Sequence, residues 1–220
     1  MATAPVPLRI DFVSDVVCPW CAIGLTSLEQ ALQRLQGQVA ADIHFQPFEL
    51  NPQMAAEGED IREHLQRKYG MPDAQLDENQ ERIRQRGAEL GFDFDFNARS
   101  RTWNTFDAHR LLHWAGIEGK QRELKHALLR AYFSEGKNVS DRDTLVAVAA
   151  SVGLDSERVR AILASGEYAA DVRAAEEFFR RNGINGVPAV IIDQKHLISG
   201  GQPVEVFERA LREIATSKPG

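Results

Sequence analysis

The only two cysteines of this 220-residue chain, Cys18 and Cys21, lie one helical turn apart in DFVSDVVCPWCAIG, residues 11–24. Four kinds of chemistry use a C-x-x-C pair. A structural zinc needs four ligands, yet there is no second cysteine pair and the six histidines are scattered, with only His109 and His113 at a helical spacing of four; no metal is expected. A static disulfide closing so short a loop removes little entropy from the unfolded chain and is reduced in a cytosolic environment. A pair of inert core thiols would need no particular setting. A redox dithiol needs the setting found here: the pair follows a predicted strand and opens a predicted helix, where unpaired backbone N–H groups and the positive end of the helix dipole stabilise a thiolate. In that reading Cys18, at the helix start, is exposed and attacks a substrate disulfide. Cys21, one turn further on the apolar face, resolves the mixed disulfide. Pro19 suits the first helical position, where its missing N–H costs nothing.

The elements that must hold this pair can be read from periodicity. Leu8, Ile10, Phe12 and Val13 form a short apolar run ending at Ser14-Asp15, a buried strand entering a loop. Cys21, Leu25, Leu28, Leu32 and Leu35 recur at steps of three and four and share one helix face, with Gly37 as its stop. DIHFQPFEL alternates at period two as a second strand, and Pro47 marks its exit or an edge. Near the C-terminus PAVIID and HLIS read as a hairpin turning at Asp193-Gln194-Lys195. After Gly200-Gly201, Pro203 should open a last helix with Val204, Phe207, Leu211 and Ile214 on its apolar face. Helical patterning fills the span between. Ser140 with Asp143 resembles a capping box, and Asp155 is an expected N-cap. The order is βαβ, helical block, ββα: one α/β domain interrupted by a helical insertion.

Composition sets outer limits. Hydrophobic residues at 43% with 26% charged describe an ordinary globular chain, and a formal net charge of −6 without a basic run argues against nucleic acid as a partner. No segment approaches the run of about 18 apolar residues that a membrane span needs, so no membrane partner is expected. MATAPVPLRIDF has neither a basic n-region nor a continuous apolar stretch, and cytoplasmic localisation is the expectation.

CPWC at the strand–helix junction, the helical insertion and the ending NGVPAVIIDQKHLISGGQP together resemble the DsbA branch of the thioredoxin superfamily. FELNP (residues 48–52), AHRL (108–111) and SGGQP (199–203) resemble its FrnE-like subgroup, over nearly the whole chain. The resemblance implies a thioredoxin-like fold with a large all-helical insertion: residues 1–52 and 183–220 as the thioredoxin-like domain and 53–182 as the inserted domain. It also implies a cis peptide bond at Val187-Pro188 facing the cysteines, and a strand start there that suits an edge able to pair with a peptide. The implied activity is thiol–disulfide exchange on protein or peptide disulfides, with a low-molecular-weight thiol or a reductase as electron partner and no cofactor; glutathione stays open as a thiol co-substrate.

The neighbouring subgroup of 2-hydroxychromene-2-carboxylate isomerases and kappa-class glutathione transferases shares the fold and generally lacks this cysteine pair, so two intact cysteines favour exchange. A glutathione-dependent isomerase or a non-catalytic peptide-binding module remain the alternatives. Trp20 is expected to be partly exposed, to dock apolar substrate segments and to make the couple less oxidising than that of relatives with histidine there. In the cytosol a strongly oxidising couple would stand reduced by roughly 10⁵ to one, so reduction or isomerisation is the expected direction. Asp15 reads as a turn residue before a proton relay, and Asn104, Asp107 and His109 as capping or structural residues before functional ones. Trp103, Phe106 and Trp114 read as core, and the charged faces between Asp60 and Arg86 as solvated.

Overall fold

The computed structural model describes residues 4–218. Its frame is a four-stranded sheet in the order β2-β1-β5-β6, built from β1 (Val6–Ser14), β2 (Val39–Pro47), β5 (Ala189–Ile192) and β6 (His196–Ser199). β1 and β2 run parallel, as their connection through helix α1 (Pro19–Arg34) requires, and β5 and β6 continue the sheet antiparallel. The alternation of β1 divides two cores. Leu8, Ile10 and Phe12 are buried with Leu25 and Leu28 of α1 and Phe207 and Leu211 of α9 (Val204–Ser217), whereas Val13 packs with Phe179 of α8 (Ala169–Arg181), Ile184 and Ala189.

Between β2 and β5 lie α2 (Ile61–Tyr69), α3 (Asp73–Leu90), α4 (Phe106–Ile117), α5 (Gln121–Phe133), α6 (Arg142–Ser151), α7 (Ser156–Ala164) and α8. This is the thioredoxin-like architecture with a large helical insertion. One element was not visible in the pattern: β3 (Glu59–Asp60) pairs with β4 (Arg101–Thr102), a two-residue ladder too short to show periodicity. Pro47 ends β2, and β2 is an edge strand. The side-chain amide of Gln121, at the start of α5, accepts from the Phe45 N–H at 2.9 Å and donates to the Phe45 carbonyl at 3.1 Å. It thus satisfies part of the edge that another strand could otherwise pair with.

Two helix starts differ from expectation. The N-cap of α6 is Asp141, whose carboxylate accepts from the Thr144 N–H at 2.8 Å; Ser140 instead donates to Asn138 Oδ1 at 2.7 Å. The charged acceptor one residue later takes the cap. Pro203 is the N-cap of α9 and not its first helical residue. Asp155 caps α7 by accepting from the Arg158 N–H, as its position implied.

Candidate active site

β1 delivers the chain to a turn in which the Cys18 N–H bonds the Asp15 carbonyl at 3.3 Å, and α1 begins directly after it. Cys18 is the extended N-cap residue, and its carbonyl accepts from the amides of Cys21 and Ala22, at 3.0 and 3.4 Å. Pro19 occupies the first helical turn and Trp20 is half-buried. Cys21 is wholly buried, as its place on the apolar face requires. Cys18 departs from expectation: it is 4% exposed, not open to solvent. Its Sγ turns across the molecule and donates to the carbonyl oxygen of Val187 at 3.7 Å, within reach of the weak S–H donor.

Val187 belongs to the opposite wall. The Val187–Pro188 bond is cis, and Pro188 immediately precedes β5, with its carbonyl accepting from the Gly200 N–H at 2.8 Å. The strand following Pro188 was expected to suit an edge; β5 lies instead between β1 and β6, because the hairpin adds β6 outside it. Two glycines let α1 seat against this wall. A Cβ on Gly24 would stand 3.1 Å from Pro188 Cγ, and one on Gly201 would stand 2.8 Å from the Trp20 carbonyl oxygen. The second separation is closer than real Cβ atoms tolerate. The Trp20 ring thereby lies on Gly201, and the Arg82 guanidinium of α3 sits 5.6 Å from an indole ring centroid. The arrangement brings Cys18, Pro19, Trp20, Cys21, Val187 and Pro188 together from the two ends of the chain.

Behind the cysteines lies a polar cluster that the sequence reading did not single out as a unit. Asp15 is fully buried, and its Oδ2 accepts from the Leu50 N–H at 2.7 Å. Its Oδ1 lies 3.4 Å from Nε2 of buried His109, which is also 3.1 Å from the Phe48 carbonyl. Burial alone would raise the Asp15 pKa, but the close approach of His109, the Leu50 amide and the charge of Lys125 hold it below the usual carboxylate value. Lys125 of α5 is 0% exposed, and its Nζ has no hydrogen-bond partner among the described residues. Burial lowers its pKa, against the opposing charges of Cys21, Asp15 and Cys18. Burial drives the Cys21 thiol well above its ordinary pKa, reinforced by Cys18; Lys125 and the Asp15 backbone act in the opposite sense. Asp15 therefore does more than form a turn. Lys125 carried one usable signal: it stands four residues before Leu129 and seven before Tyr132, on the face those buried side chains share.

Other candidates take structural positions. Asp107 accepts from buried Arg110 at 2.7 Å, and Arg110 also reaches the carbonyls of Ser165 and Glu167, tying α4 to the end of α7. Asn104 accepts from the Phe106 N–H at 2.9 Å at the start of α4. The His113 ring lies 5.2 Å from that of Tyr168, centroid to centroid. Trp114 is core, while Trp103 and Phe106 are half-buried. Among the described residues no three His, Cys, Asp or Glu side chains are grouped to hold a metal ion, and no helix is long and apolar enough to cross a membrane.

A buried dithiol at a helix start, opposite a cis-proline wall in a four-stranded sheet interrupted by helices, defines a thioredoxin-type protein. The chain belongs to the DsbA-like thioredoxin domain family, a thiol oxidoreductase family whose model matches residues 9–212. It is similar to a probable DsbA oxidoreductase from Streptomyces coelicolor, with a TM-score of 0.91 and 34% identity over 97% of this chain and 92% of that one. It is 27% identical over 213 residues to the uncharacterized protein YwbO of Bacillus subtilis, covering 96% of this chain and 99% of that one. The cytosolic disulfide reductase DsbM of Pseudomonas aeruginosa, solved with GSH, shares the fold at a TM-score of 0.66 and 18% identity, over 94% of this chain and 99% of that one.

Proposed function

We propose that this protein catalyses thiol–disulfide exchange on protein or peptide disulfides, with Cys18 as attacking thiolate and Cys21 as resolving thiol. The observation that carries the reading is the 3.7 Å approach of Cys18 Sγ to the Val187 carbonyl beside Pro188. Cys18 occupies the end of α1 where unpaired amides and the helix dipole favour negative charge. A substrate strand arriving at Val187 would replace the thiol as partner of that backbone and present its disulfide to Cys18.

The Cys18 thiolate attacks one substrate sulfur, forming a mixed disulfide and expelling the other sulfur as a thiolate. Cys21 loses its proton and attacks Cys18 Sγ, the mixed disulfide breaks, and the second substrate sulfur leaves as a thiolate. The substrate is reduced by two electrons and the Cys18–Cys21 pair oxidised. A low-molecular-weight thiol such as glutathione, or a reductase, returns the two electrons. Trp20 and Val187 form the apolar lip that receives the substrate, and the reducing poise of the cytoplasm sets the direction towards reduction or isomerisation.

Insulin reduction tests the assignment: Cys18→Ser should abolish it, and wild-type turnover in that variant would refute it. Saturable glutathione binding and isomerisation of small aromatic substrates that survive Cys18→Ser would point to the isomerase reading. Peptide affinity indifferent to both cysteines, without turnover, would point to a binding module.

A further inference from the structure

The charged faces of α2 and α3 carry six Arg and Lys side chains, and four of them are matched by acids of the same protein. Arg62 pairs with Asp73 and Asp77, Arg67 with Glu59, Arg84 with Glu81 and Arg86 with Glu89, all at 2.5–2.8 Å. The two without a carboxylate partner among the described residues are Lys68 and Arg82, and these are the two that reach the active-site segment. Lys68 Nζ donates to the Leu50 carbonyl and to Asn51 Oδ1, both at 2.7 Å, and the Leu50 N–H holds Asp15, three residues before Cys18. The Arg82 guanidinium donates to Asn79 Oδ1 at 2.7 Å and lies 5.6 Å from a ring centroid of Trp20, inside the C-x-x-C turn.

Of the two, Arg82 is free to take a ligand. It is exposed, and Asn79 engages one of its five N–H donors. A guanidinium over an aromatic face keeps its in-plane donors, and their fork matches a carboxylate through two parallel bonds. Glu78 and Glu81 line the same surface depression as Arg82, but Glu81 is engaged by Arg84 and Gln85, and Glu78 forms no ion pair with it. The surroundings otherwise disfavour anions. The chain has a formal net charge of −6 and the attacking group is a thiolate, so a carboxylate close to a substrate disulfide is repelled by both. A cation with open donors beside Trp20 reverses that sign locally.

Resting on the exchange reading, we infer that Arg82 is a specificity-determining residue that selects peptide disulfides with an acidic side chain next to the half-cystine. The peptide meets the protein at Val187, its disulfide reaches Cys18, and the neighbouring carboxylate accepts from the Arg82 guanidinium beside Trp20. Lys68 adds positive charge without leaving its bonds to residues 50 and 51. The carboxylate takes no part in the exchange of sulfurs, so the contact acts on substrate capture.

Two peptide disulfides that differ only by Glu or Gln beside the half-cystine test this. Each is mixed in excess with the reduced protein at low salt, and the second-order rate constant for its reduction is measured. The wild-type protein should favour the Glu peptide. In Arg82→Gln the Glu-to-Gln ratio of rate constants should fall by about three- to fivefold, the scale of one exposed ion pair. Arg82→Lys, which keeps the charge, should retain most of the ratio. Arg67→Gln removes the same charge from a paired position, with Glu59 still held by His64, and should leave the ratio as in wild type. The wild-type ratio should shrink as salt is raised, because exposed charges are screened.

A ratio in Arg82→Gln equal to that of wild type, or an equal fall in Arg67→Gln, overturns the inference and leaves the exchange reading intact. A wild-type protein that reduces neither peptide overturns the exchange reading instead.

Discussion

The Sγ of Cys18 lies 3.7 Å from the carbonyl oxygen of Val187, joining residues 169 positions apart across the junction of α1 and β5. The contact pairs a thiol with the backbone group that an incoming strand would use. It also explains why Cys18 is buried when its helix-start position alone suggests exposure. The attacking sulfur is covered by its own protein's wall, and a substrate must displace that contact.

The wall depends on close backbone approach. Gly201→Ala places a methyl group 2.8 Å from the Trp20 carbonyl oxygen, and backbone cannot yield as a flexible side chain can. We expect a loss of about 1–3 kcal/mol, the usual cost of overpacking, together with slower insulin reduction. Gly166→Ala, whose Cβ would meet nothing within 4 Å, is the control. Chemical denaturation and the turnover assay read both; equal effects in the two variants would contradict the close-packing account.

Trp20 offers its neighbour Cys18 no charge. A histidine at that place can bear a proton beside the thiolate, stabilising the reduced form and raising the reduction potential. Trp20→His should therefore be more oxidising by about 30 mV or more, since about 30 mV corresponds to a tenfold change in the equilibrium constant. Equilibration against glutathione measures this. An unchanged or lower potential would show that residue 20 does not set the couple.

Stability should carry a pH signature from Glu49. Its side chain is buried with Oε1 unpaired, beside Glu176 and in contact with Arg173, and burial followed by the Glu176 charge raises its pKa to about 7. The folded protein thus holds a proton that the unfolded chain releases near its ordinary value of 4.5. Between those values the unfolded state binds fewer protons, so stability falls as pH rises, by on the order of 2 kcal/mol, and the fall ends near pH 7. Urea titrations from pH 5 to 8, a range chosen around about that window, should show the decline in the wild-type protein and lose it in Glu49→Gln. An identical slope in the two proteins would contradict the assignment.

The parts of the site that were legible in sequence are those fixed by local geometry. The C-x-x-C spacing, a strand before it and an apolar helical face after it suffice to place Cys21 inward. The V-P dipeptide before a β-rich run locates the opposite wall through its family resemblance. What escaped depends on tertiary contact. The burial of Cys18 is decided by Val187, and the role of Asp15 by Leu50 and His109. Lys125 reads as one more charged residue of an amphipathic helix until packing places it on the buried face with Leu129 and Tyr132. The N-cap at Asp141 was missed for a nearer reason: Ser140 and Asp141 are adjacent competitors, and the choice between them rests on the Asn138 side chain that occupies Ser140.

The central claim, that Cys18 attacks and Cys21 resolves, is tested most directly by mass spectrometry of Cys21→Ser after reaction with a peptide disulfide. Without the resolving thiol, the protein should accumulate as a covalent adduct carrying half of the peptide on Cys18, released by dithiothreitol. The Cys18→Ser protein should carry none. Absence of the adduct from Cys21→Ser, or an adduct on Cys21 in Cys18→Ser at the same rate, would contradict the assignment.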